Sequence, residues 1–110
     1  MDIYLQQYLD TAVWADRPEG DDWTEAEWSH EALESAAADV ARFQKMAGDM
    51  IYNHRDKTMW CHDFWLTRQG HGAGFWDGAW PVWGDALTEI SKTFGETWLY
   101  LGDDGKLYFG

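Results

Sequence analysis

His62-Asp63-Phe64-Trp65-Leu66-Thr67-Arg68-Gln69-Gly70-His71-Gly72-Ala73-Gly74-Phe75-Trp76-Asp77 is the densest stretch of this chain. Sixteen residues carry aromatics, two His, two Asp, an Arg and three Gly. How residues 63–67 are read decides the fold. Phe64, Trp65 and Thr67 have the aromatic and β-branched content of a strand. Gly70, Gly72 and Gly74 admit backbone angles that other residues resist, so 68–74 reads as a tight turn. Phe75-Trp76 then reads as a returning strand. The expectation is a hairpin at the centre of the chain.

Working outward, residues 2–14 read as a helix, with Leu5, Leu9, Ala12 and Val13 at helical spacing and Tyr4 and Tyr8 beside them. Pro18 ends that element, and residues 18–22 read as a loop. Thr24 with Glu27 forms a capping-box pattern, so a second helix is expected from there or near Ser29 to about residue 52. Its apolar stripe is Leu33, Ala36, Val40, Phe43, Ala47 and Met50. Residues 53–58 read as a polar connector and 78–83 as a loop around Pro81. Gly84 to Phe94 reads as a third helix stopped by Gly95. Residues 97–101 and 106–109 read as strands joined through Gly102-Asp103-Asp104-Gly105, a hairpin signal. Together these give one α+β domain over 1–110: N-terminal helices packed on a small antiparallel sheet of three or four strands, with one inserted helix.

A chain of 110 residues with nine Trp, five Tyr and five Phe can bury a real core and is not of disordered composition. Cys61 is the single cysteine, so no internal disulfide forms, which fits a reducing cytoplasm. The N-terminus lacks a basic n-region and an apolar h-region, so no secretory leader is expected, and no apolar run has bilayer length.

Charge is uneven. The formal net charge is −12, from 20 acids and 8 bases. Residues 1–39 hold 11 acids and one base, a net of −10, and the remainder holds a net of −2. A field this negative repels nucleic acid and anionic lipid and attracts basic protein surfaces. Duplex DNA carries one charge per roughly 1.7 Å of axis, and a helix rises about 1.5 Å per residue. Carboxylates every two to four residues along 16–39 therefore loosely approximate the charge of a duplex edge. Asp21, Asp22, Glu25, Glu27, Glu31 and Glu34 are the candidate partner-binding residues. The plainer reading is a solvated acidic face that keeps the chain soluble. Acids early and bases late (Arg42, Lys45) also suit the helix dipole, although Glu27 and Glu31 one turn apart repel.

The central stretch offers a second chemistry. His62, Asp63, His71 and Asp77 are a candidate metal set, since imidazole with carboxylate suits zinc, manganese or iron. With Arg68, the same residues are candidates for acid–base work. The plainer readings are histidines bonded to backbone and an Arg68–Asp salt bridge. No Ser or Cys stands in a nucleophile context. Gly70 to Gly74 lacks the lysine and the strand–loop–helix order of a phosphate loop. Trp76, Trp80 and Trp83 read as core, with a partner hot spot as the alternative.

The central stretch as a whole resembles the HDFWLTR-x-GHGAGFWD signature of small, mostly uncharacterised proteins encoded by bacteriophages and plasmids. Two further segments carry the resemblance. Tyr8 to Trp14 is similar to the family's YLxTALW opening, and Gly84-Asp85-Ala86-Leu87-Thr88, Phe94-Gly95-Glu96 and Leu99 to Tyr108 are similar to its GDxLT…FGE…LYVGDDGKLY ending. Gln69 departs from the usual Asn. The resemblance implies a phage or plasmid origin and action in the bacterial cytoplasm. It transfers no activity, cofactor or functional residue. The expected function is therefore non-enzymatic: binding and inhibition or modulation of a host defence or DNA-processing protein through a basic, nucleic-acid-binding surface, by DNA mimicry. No cofactor, direct nucleic-acid contact or membrane contact is expected.

Overall fold

The computed structural model describes residues 2–17, 26–52 and 54–110. Among these it is α+β, with helices α1 (Ile3–Asp16), α2 (His30–Ala47), α3 (Met59–Arg68) and α4 (Gly84–Lys92) and strands β1 (Leu99–Leu101) and β2 (Leu107–Phe109). A 3-10 turn, Gly48–Ile51, extends α2. No helix of the described residues is long and apolar enough to cross a membrane.

The central hairpin expected from residues 63–67 and 75–76 is not formed. Residues 59–68 are helix, and the described residues hold one two-stranded antiparallel sheet rather than three or four strands. The reason lies in position. Helix α3 is the hub of the domain, packed against both α1 and α4. Trp60, Cys61, Asp63, Phe64, Trp65, Leu66, Thr67 and Arg68 are all buried. A helix buried on nearly every side shows no amphipathic stripe, so its sequence lacks the usual helical signature. The glycine turn survives as the end of this helix. Gly70, at φ +74°, donates to Thr67 O (3.1 Å), and His71 donates to Leu66 O (3.0 Å). This 6→1 and 5→2 pair is a Schellman cap, which needs a left-handed residue at the position Gly70 holds.

Phe43 of α2 sits at the core centre. It stacks on Phe64 (4.2 Å between centroids), Trp60 (5.6 Å) and Phe75 (5.7 Å). The expected stripe of α2 is buried at Ala36, Val40, Phe43 and Ala47, joined by Ala32, while Leu33 and Met50 lie at its edge. The capping box at Thr24 lies outside the described residues. The cap that is described is Ser29, whose hydroxyl accepts from Ala32 N (3.0 Å).

Strands β1 and β2 pair with Leu99 opposite Phe109, Tyr100 opposite Tyr108 and Leu101 opposite Leu107. The segment before α2 adds a short parallel bridge beside β2. Leu107 N donates to Glu27 O (2.8 Å) and Ser29 N to Leu107 O (2.9 Å). This bridge fixes the start of the acidic helix against the hairpin.

Candidate functional site

The bridge gathers carboxylates from two distant parts of the chain. Glu27 lies on the bridging segment, and Glu31 and Glu34 lie at the start of α2. All three are exposed. Asp103 and Asp104, also exposed, come from the β1–β2 turn. Tyr108 links two of them, Asp104 and Glu31. Its hydroxyl donates to Asp104 Oδ2 (2.6 Å), and this bond, reinforced by desolvation and the charges of Asp104 and Glu31, pushes its pKa up to about 12. Asp104 moves the opposite way. The Tyr108 hydroxyl, with the Lys106 backbone N–H (3.0 Å) in support, holds it below the ordinary carboxylate range. Asp104 therefore stays ionised and Tyr108 neutral through the physiological range.

Of the six candidate partner-binding residues, Glu27, Glu31 and Glu34 are exposed, on the segment before α2 and on its first turns. Asp21, Asp22 and Glu25 lie outside the described residues. Glu34 is shared with His30 at 2.8 Å. Other acids of the N-terminal third have internal duties. Asp39 binds Arg68 (2.7 Å), and Asp16 accepts from the indole of Trp65 and pairs with His71 Nε2 (2.9 Å). The hairpin acids were read from sequence only as turn residues. Their part in the face depends on the Glu27–Leu107 bridge, for which no local pattern exists.

The alternative set is divided among separate hydrogen-bond partners, while the charges of His62 and Asp77 still act on Asp63. His62 Nδ1 meets Thr11 Oγ1 (3.2 Å). Asp63 accepts from the Trp80 indole (2.7 Å), His71 pairs with Asp16, and Asp77 accepts the backbone N–H of Gly74 (3.3 Å). Each group has its own partner, and no three His, Cys, Asp or Glu of the described residues converge where they could hold a metal ion. Adjacent positions on helix α3 turn His62 toward Thr11 of α1 and Asp63 toward Trp80. Burial raises the pKa of Asp63, an effect the Trp80 bond partly offsets. Burial likewise pushes the Cys61 thiol up, which leaves it protonated and unreactive.

Arg68 does more than pin a loop. Its Nη1 donates to Tyr8 (2.9 Å) and Asp39, its Nε to Gly95 O (2.9 Å) and its Nη2 to Phe94 O (3.3 Å). One buried guanidinium thus ties α3 to α1, to α2 and to the chain leaving α4. The tryptophan cluster divides. Trp80 is buried, while Trp76 and Trp83 are exposed. A cleft of about 240 Å³ between Met50, His54, Trp80, Val82 and Trp83 marks the border.

Comparison with protein-family models, with curated proteins and with solved structures finds no match to this chain.

Proposed function

We propose that the chain is a non-enzymatic binding protein whose acidic face occupies a basic, nucleic-acid-binding surface of a host protein. One observation carries this reading: exposed Glu31, at the start of α2, and exposed Asp104, from the far end of the chain, both act on the Tyr108 hydroxyl. A solvated acidic helix needs no such convergence. Carboxylates on a folded scaffold repel nucleic acid and attract lysines and arginines, and they lose little entropy when a basic groove closes on them. Occupying that groove excludes DNA, which is how mimicry inhibits. The phage or plasmid resemblance supplies the setting, since a host defence or DNA-processing enzyme carries such a groove. Behind the metal alternative, no three His, Cys, Asp or Glu of the described residues stand together as a ligand set.

The test is a tagged pull-down from bacterial lysate with and without competing duplex DNA. Retention of a nucleic-acid-binding protein that duplex displaces supports the reading. Retention that neither duplex nor salt disturbs refutes mimicry, and failure to retain any basic protein refutes the acidic-face reading itself.

A further inference from the structure

The two faces of the C-terminal hairpin differ. Leu99 and Leu107 turn inward and are buried, and Phe109 stacks on Trp28 (5.2 Å). Strand alternation puts Trp98, Tyr100 and Tyr108 on the opposite face. Trp98 is 70% exposed and Tyr100 45%. Tyr100 and Tyr108 are directly opposed and stack at 5.6 Å with rings 16° apart. The platform is built with care for space: a Cβ on Gly102 would collide with the Tyr108 ring. Beside it lies a hollow of about 460 Å³, lined by Tyr100, Leu101, Gly102, Asp103, Asp104 and Tyr108.

An exposed aromatic sheet face is a stacking surface, and its surroundings select what stacks. Asp103, Asp104 and nearby Glu31 repel phosphate, which disfavours a nucleic-acid strand. Lys106 is the one base between residues 93 and 110. Aromatic rings beside carboxylates suit a cation, and a guanidinium suits them better than an ammonium. It is planar, stacks on rings and offers a fork of donors to a carboxylate. Asp104 is already engaged by Tyr108 and the Lys106 backbone, so Asp103 is the carboxylate left for a ligand.

We propose that the outer face of the β1–β2 hairpin docks an arginine side chain of the partner, stacked on the Trp98–Tyr100–Tyr108 platform and held by Asp103. This rests on the acidic-face reading and names the residue type that the face recognises.

The experiment titrates the full chain into a fluorescein-labelled, capped peptide carrying three arginines, read by anisotropy, with a matched citrulline peptide as control. Citrulline keeps the planar group and removes the charge. The arginine peptide is expected to bind about tenfold more tightly than citrulline or more, and Trp98→Ala, Tyr100→Leu and Asp103→Asn should each weaken it about fivefold. Trp98→Ala guards against a folding effect at Tyr100, because Trp98 lies mostly in solvent. Salt-sensitive binding that these three variants leave unchanged, but that Glu27→Gln with Glu31→Gln abolishes, would overturn the platform and leave the acidic face standing. Equal binding of the two peptides, or loss of binding because a second copy of the chain covers the platform, would also overturn it. A duplex-displaceable partner in the pull-down decides the broader reading separately.

Discussion

At the residue scale, two buried side chains carry most of what is specific to this core. Arg68 is 7% exposed, and each of its nitrogens has a partner. Removing it strands the Tyr8 hydroxyl and two backbone carbonyls and leaves Asp39 without its cation. Arg68→Ala should cost about 3 kcal/mol in urea unfolding, and Arg68→Lys should recover little of it, because an ammonium cannot reach four partners on three elements. Asp63 makes a pH prediction. Burial raises its pKa in the fold above the ordinary 3.8. A carboxyl held more tightly protonated when folded stabilises fully below its unfolded pKa, and that contribution is lost as pH rises through the folded value. Asp63→Asn keeps an oxygen for the Trp80 indole and cannot ionise. The stability of the variant relative to the parent should therefore grow as pH rises from about 4, measured by urea midpoints from pH 4 to 7. A difference that stays flat over that range would mean that Asp63 is not penalised by ionisation.

At the element scale, α2, α4 and the terminal hairpin were legible because each has one dry face and one wet face, and α1 was legible from the spacing of Leu5, Leu9 and Ala12 although Ile3 and Trp14 lie on its wet side. Periods of 3.6 and 2 report such faces directly. Helix α3 was not legible. Its i, i+4 pairs Trp60–Phe64 and Cys61–Trp65 are helical, but Asp63, Thr67 and Arg68 fill the remaining sides while buried, so no polar face marks the turn of the helix. Aromatic and β-branched content then pointed to strand, and tertiary burial overrode it. The start of α2 is where an element and the site meet. Ser29 is buried, caps the helix and donates its own N–H to β2. Ser29→Ala should lower stability by about 1 kcal/mol by thermal unfolding. It should also fray the turn that holds Glu31, seen as faster amide exchange at residues 30–33 than in the parent.

At the scale of the whole molecule, the candidate site was half legible. The acidic third announces itself by count, and Glu27, Glu31 and Glu34 were nominated from it. Asp104 comes near Glu31 only because β2 runs beside residues 27–29, and Trp98, Tyr100 and Tyr108 form a platform only once the inner side of the hairpin is covered. Such placements arise from packing between segments 79 residues apart at the Trp28–Leu107 bridge, which no window of sequence contains. The most direct test of the central claim is the salt dependence of affinity for the basic protein that the chain retains, measured for the parent and for the Glu27→Gln/Glu31→Gln/Glu34→Gln variant. The parent should weaken about tenfold between roughly 0.05 and 0.2 M salt, and the variant should bind at least about tenfold more weakly with a shallower slope. Equal affinities and parallel slopes for the two proteins would contradict the claim that this face makes the contact.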